Sequence, residues 1–146
     1  MLTKYLPGLL CGFALTITAY AQSPKRYKDQ VFGQISIRHN LGYAGNQNNK
    51  AYLFDLYQPQ GDNLTHRPLI IWMHGGGFVF GSKADNNTRL WSETFARRGY
   101  VCAAINYRTG GITSIFRFDK LMKNSYRAVL CARQAVAFFR KNYKHF

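Results

Sequence analysis

The chain has 146 residues, the size of one domain. With 47% hydrophobic and 16% aromatic residues it is too apolar for a disordered chain. The formal net charge is +14, but the cations (Lys25, Arg26, Arg38, Lys50, Arg97, Arg108, Arg117 among them) are scattered and no nucleic-acid motif accompanies them. Nucleic acid is therefore not an expected partner.

The N-terminus reads as a secretory signal peptide over residues 1–21. Lys4 gives a short positive region, and Leu6 to Ala19 is an apolar stretch too short for a comfortable membrane span. Ala19-Tyr20-Ala21 fits small-x-small cleavage before Gln22. The expectation is a secreted or periplasmic chain with no stable membrane span after cleavage. An uncleaved anchor is the alternative, and Leu10 before Cys11 is too large for a lipobox. Lys25 to Lys28 reads as the solvated start of the mature chain.

Residues 22–146 then read as one partial domain. Phe32 to Arg38 alternates apolar and polar residues and predicts a first strand. His39 to Lys50 is a loop rich in Asn and Gly. Ala51 to Tyr57 predicts a second strand, ended by Pro59 and Gly61, and Leu41 to Tyr57 fits a hairpin or part of one. Leu69-Ile70-Ile71-Trp72-Met73 is apolar on both faces, as a central strand of a covered parallel sheet should be.

Thr88 to Arg98 predicts a helix with Leu90, Trp91, Thr94 and Phe95 on one side, stopped by Gly99. Val101 to Ile105 predicts a fourth strand. Asp119 opens a long final helix in which Met122, Ser125, Val129, Ala132, Val136, Phe139 and Tyr143 recur at steps of three and four, predicting one buried face. Ala128, Ala132 and Ala135 would let that helix sit close on a sheet. Strands alternating with helices predict an α/β sheet, mostly parallel, with helices on its faces.

The chemistry-bearing motif is His74-Gly75-Gly76-Gly77-Phe78, directly after the apolar third strand. Glycines there let the backbone take unusual dihedral angles and let another atom approach closely. Main-chain N–H groups held in such a turn can stabilise a developing negative charge. A tight strand exit alone does not account for three glycines in a row. Nowhere does the chain contain G-x-S-x-G.

A strand followed by HGGG resembles the oxyanion-hole motif of α/β-hydrolase esterases and lipases. The resemblance is to the secreted, HGGG-type carboxylesterases and acetyl- or feruloyl-type esterases. Four segments in order carry it: Tyr52 to Pro59, Leu69 to Gly81, Arg97 to Val101 with Asn106-Tyr107-Arg108, and Ala128 to Arg140. It implies the N-terminal part of an α/β-hydrolase fold, truncated before the nucleophile elbow, with Leu69 to Met73 left as an exposed apolar edge because the family's fifth strand lies beside the third.

The resemblance further assigns the oxyanion hole to the backbone N–H groups of Gly76 and Gly77, with His74, Gly75 and Phe78 supporting the loop. It places no catalytic residue in this chain. In the family the triad follows in the order Ser, Asp or Glu, His, beyond the fifth strand. His39 and His66, in polar loops, and His145 are then surface residues. Ser82, Ser92, Ser114 and Ser125 lack the flanking glycines of an elbow. Phe78, Phe80 and Trp91 could line a pocket but read more simply as core.

The family often has Asp where Cys131 stands, a departure that bears on packing near the elbow. Cys102 and Cys131 read as buried free thiols, with a bridge as the alternative. With no C-x-x-C and no zinc spacing, neither metal nor cofactor is expected. The partner implied is a small-molecule ester or esterified carbohydrate bound by the full-length relative. The leading expectation is thus the N-terminal fragment of a secreted serine carboxylic-ester hydrolase, inactive alone. A non-catalytic half-domain acting as a binding or partner protein, and a cationic surface-binding protein, are the alternatives.

Overall fold

A computed structural model describes residues 25–44 and 49–146. The expected signal peptide lies outside the described residues. Four strands form one sheet: β1 (Ile35–Gly42), β2 (Leu53–Pro59), β3 (Leu69–Met73) and β4 (Val101–Ile105). Two helices flank it, α1 (Asn86–Arg97) and α2 (Phe118–Lys141). The order across the sheet is β1-β2-β4-β3.

The sheet is mixed rather than mostly parallel. β1 pairs antiparallel with β2, and β2 with β4, while β3 and β4 pair in parallel from Leu69↔Val101 to Met73↔Ile105. A parallel pair needs a crossover, and α1 supplies it between β3 and β4. The hairpin expected around Leu41 to Tyr57 is the β1–β2 pair. β1 runs four residues further than expected, through His39 to Gly42, because a register shift between Arg38 and Leu41, with Asn40 at φ +58°, carries the pairing past the bend. Lys50–Tyr52 is a 3-10 turn leading into β2, not strand.

Alternation along the strands divides the core into two layers. Phe54, Leu56, Ala103 and Ile105 face α2 with Tyr43, Ala128, Cys131, Ala135 and Phe139. Tyr57, Cys102 and Ala104 face α1 with Ala96. The two cysteines therefore lie in different layers, and both are free. Burial pushes the Cys102 thiol up to about 12, so it stays protonated at neutral pH.

Both helices bury a different face from the one the pattern implied. α1 buries Thr88, Ser92 and Ala96, while Leu90 and Trp91 are exposed. Small residues let α1 lie close over Ala104. The bulky Trp91 and Phe95 instead pack sideways on Trp72, at ring separations of 6.2 and 5.7 Å. α2 buries Asn124, Ala128, Cys131, Ala135 and Phe139. Met122, Val129 and Val136 of the expected face are 53%, 55% and 40% exposed. The contact face is turned by about one residue, roughly 100°.

Lys25 to Lys28 is not simply solvated. Arg26 donates to both carboxylate oxygens of Asp62, at 2.9 and 2.5 Å, and Tyr27 N–H donates to the Arg98 carbonyl. This clamps the start of the described chain to the C-terminal end of α1.

Candidate active-site loop

β3 ends at Met73 and its chain enters the glycine turn at the same rim of the sheet as the end of β4. Three consecutive residues then take positive φ: Gly76 at +110°, Gly77 at +60° and Phe78 at +64°. Phe78 is the costly member, since a side chain in the left-handed region costs roughly 1–2 kcal/mol. Surrounding bonds hold it there. The carbonyls of Phe78 and Val79 accept from the N–H groups of Gly110 and Gly111, and Val79 N–H closes a turn onto the Gly76 carbonyl.

The glycines are not equivalent. A Cβ on Gly76 would sit 2.1 Å from the Phe80 carbonyl oxygen, and one on Gly81 would sit 2.3 Å from His74 Nδ1. Gly75 and Gly77 have nothing within 4 Å of such an atom. Gly76 thus allows a close backbone approach, whereas Gly77 provides only its dihedral angle. Among the described residues, the N–H groups of Gly76 and Gly77 have no backbone acceptor.

His74 is buried under the loop, 4% exposed. Its Nδ1 donates to the Gly75 carbonyl at 2.7 Å, its ring stacks on Tyr107 at 4.2 Å, and Tyr107 Oη donates to the His74 carbonyl. The residue is a wedge between the loop and the end of β4. Phe78 meets the edge of the same Tyr107 ring. The Phe78 and Phe80 side chains are partly exposed rather than core, as is that of Trp91.

A buried ion pair that the sequence reading missed anchors the far end of the loop. Lys83 Nζ lies 2.5 Å from Asp55 Oδ1, with both residues buried. Burial alone would raise the Asp55 carboxyl. Lys83, the Asn40 N–H and His39 together outweigh it and hold the group below the usual carboxylate range. Lys83 N–H also donates to Asn106 Oδ1, and Asn106 Nδ2 donates to the Lys50 carbonyl. The available signal was Asp55 itself, an acid at an inward position of an otherwise apolar strand, which requires a buried partner.

The other candidates fall apart in space. His39 lies in β1 rather than in a loop, with Nδ1 3.2 Å from Asp55 Oδ2. His66 and His145 are exposed. Ser92, Ser114 and Ser125 each donate to a backbone carbonyl three or four residues earlier, and Ser82 Oγ accepts from Ala84 N–H. Ser82 lines the same cavity as His74, but the Nδ1 of that ring is bonded to the Gly75 carbonyl. Cys131 packs in the α2 layer, 2% exposed, where a carboxylate would be desolvated. Between the open edge of β3 and α2 runs an apolar groove of about 530 Å³ whose lining includes Met73, Phe78, Val129 and Val136. No helix among the described residues is long and apolar enough to cross a membrane.

Comparison with known proteins agrees with this architecture. The chain is 42% identical over 57 residues to phenmedipham hydrolase of Pseudarthrobacter oxydans, covering 38% of this chain and 11% of that protein. It is 29% identical over 105 residues to fumonisin B1 esterase of Sphingopyxis macrogoltabida, covering 72% and 19%. The fold is like that of a bifunctional GH43-CE protein of Bacteroides eggerthii, with a TM-score of 0.57 at 15% identity, covering 75% of this chain and 12% of that one. The chain thus spans less than a fifth of these relatives. Residues 54–146 match the BD-FAE family model, so the chain belongs to the BD-FAE family and carries part of an esterase domain of the α/β-hydrolase type.

Proposed function

We propose that these 146 residues form the charge-stabilising part of a secreted serine carboxylic-ester hydrolase, with the Gly76 and Gly77 N–H groups as its oxyanion hole. The observation that carries the reading is the run of positive φ at Gly76, Gly77 and Phe78, with the first two N–H groups left without a backbone acceptor among the described residues. Successive N–H groups in such a turn form an anion-binding concavity. In acyl transfer a serine oxygen attacks the ester carbonyl while a histidine takes its proton, and the carbonyl oxygen becomes the anion to be held. Each such donor is worth about 3–4 kcal/mol in the transition state.

This chain carries no G-x-S-x-G. The substrate is a small ester or an esterified carbohydrate, in keeping with the esterases it resembles. The expected result with a short p-nitrophenyl ester is no saturable turnover by the purified 146-residue chain. Saturable hydrolysis would show that a nucleophile exists here and overturn the assignment. Export follows from the leader: N-terminal sequencing of protein recovered outside the cytoplasm is expected to begin at Gln22, and an intact Met1 there counts against cleavage.

The open edge of β3 favours one second reading, a non-catalytic half-domain whose partner covers that edge. It requires a stable, stoichiometric dimer by sedimentation velocity rather than open-ended association.

A further inference from the structure

The segment joining β4 to α2 carries apolar side chains that the fold leaves uncovered. Ile112 and Ile115 are exposed, and Phe116 and Phe118, either side of Arg117, are 86% and 77% exposed. The segment is nonetheless held in place. Ser114 is buried beneath it with its Oγ donating to the Gly110 carbonyl, and the N–H groups of Ser114, Ile115 and Arg117 each close a turn three residues back. On α2 the apolar surface continues through Phe118, Met122 and Tyr126, at steps of four, turned away from the buried Asn124, Ala128 and Cys131. The groove lined by Met73 and Val129 does not include Ile112, Ile115, Phe116 or Phe118, so the open edge of β3 does not account for them. An exposed apolar surface of this size marks an interaction site.

The charges beside this surface have one sign. Asp119 is the only acid after Glu93 in the sequence, and Arg117 donates to both of its oxygens, at 3.1 and 3.2 Å. Lys120, Lys123 and Arg127, at steps of three and four, run along the flank of α2 between the apolar ridge and the buried face. Earlier in the chain the cations are partly answered: Arg26 and Arg67 lie on Asp62, and Lys83 on Asp55. An apolar ridge edged by long cationic side chains matches a bilayer interface, where rings enter the headgroup boundary and Lys and Arg reach back to the phosphates. The convex tip Phe116-Arg117-Phe118 enters a fluid medium directly, whereas a protein partner would need a pocket shaped to receive it.

We propose that this surface docks on an anionic lipid bilayer, with Phe116 and Phe118 in the headgroup boundary and Lys120, Lys123 and Arg127 toward the lipid phosphates. The contact is peripheral and needs no membrane-spanning helix. It does not depend on the oxyanion assignment, since binding is read without any reaction.

The test is co-sedimentation of the full chain with vesicles of phosphatidylcholine alone and of phosphatidylcholine with phosphatidylglycerol, at low and high salt. The neutral vesicles report any binding through the apolar residues 6–19, which every variant shares. The anionic vesicles are expected to bind at least about tenfold more tightly, and high salt to remove that difference. Phe116→Ser with Phe118→Ser should lower affinity for the anionic vesicles about tenfold or more. Lys120→Gln with Lys123→Gln should lower it roughly twentyfold, from about fivefold per cation. All four residues are exposed, so both variants should fold. Leu90→Ser, on the outer face of α1, should leave binding unchanged. In a second measurement, Phe116→Trp should add emission that brominated lipid quenches beyond the parent's signal from Trp72 and Trp91. Equal binding to neutral and anionic vesicles overturns the proposal, as does undiminished binding in either double variant. So does binding to polyglutamate without binding to vesicles, which would assign the surface to an acidic protein partner.

Discussion

At the residue scale the glycine loop is a set of unequal positions. Gly76→Ala forces a Cβ against a backbone oxygen that has no freedom to move aside, and it keeps a positive φ. Its expected cost is well above the roughly 1 kcal/mol of a merely incompatible glycine site. Gly77→Ala meets only the dihedral penalty, about 1–2 kcal/mol. Gly75→Ala meets neither and should fall within about 0.5 kcal/mol of the parent. Denaturant unfolding of the three variants checks this order, and a severe loss at Gly75 would contradict the geometry.

The Asp55–Lys83 pair gives the other prediction at this scale. Lys83→Met strands a buried carboxylate and should cost about 3–5 kcal/mol. Lys83→Met with Asp55→Asn should recover much of that. Because the Asp55 carboxyl is depressed in the folded state, its contribution is fully present above its unfolded value, near 4. It is lost as pH falls through the lower folded value. Parent stability should therefore drop with acid in that window. The double variant should lose the part of the slope that Asp55 supplies, and a curve identical to the parent's would remove Asp55 from the account.

At the scale of elements, the hydrophobic pattern located the four strands and the two α-helices of the described residues but misread which helical faces are buried. Steps of three and four in α2 fit Met122, Val129 and Val136 as well as they fit Ala128, Cys131 and Ala135. The sheet selects the second set, since Ala128 and Ala135 allow the helix axis to come close. The first set is left beside the open edge of β3, where Leu69 and Met73 are also partly exposed. An unpaired apolar edge is a template for association. Leu69→Lys and Val129→Lys should each reduce the high-mass fraction in sedimentation velocity while changing unfolding free energy by less than about 0.5 kcal/mol. Unaltered association would place the sticky surface elsewhere.

At the scale of the molecule, the order β1-β2-β4-β3 decides what stands near what. Placing β4 between β2 and β3 brings the end of β4 against the loop after β3, so that Tyr107 can stack on His74 and Asn106 can hold Lys83. It also separates Cys102 and Cys131 by the thickness of the sheet, which excludes the bridge that their positions on adjacent elements left open.

The amino-acid sequence by itself determined the elements, the α/β class and the glycine turn, because each rests on local chemistry: an apolar run, a periodic face, residues without a Cβ. The bounds of β3 and β4 were legible to the residue for that reason. Tertiary structure alone decided the mixed pairing of the sheet, the buried faces of α1 and α2, and the Lys83–Asp55 pair joining residues 28 apart. It also decided which of three adjacent loop glycines meets a wall. Those outcomes depend on distances between segments remote in the chain, and no local pattern encodes a distance.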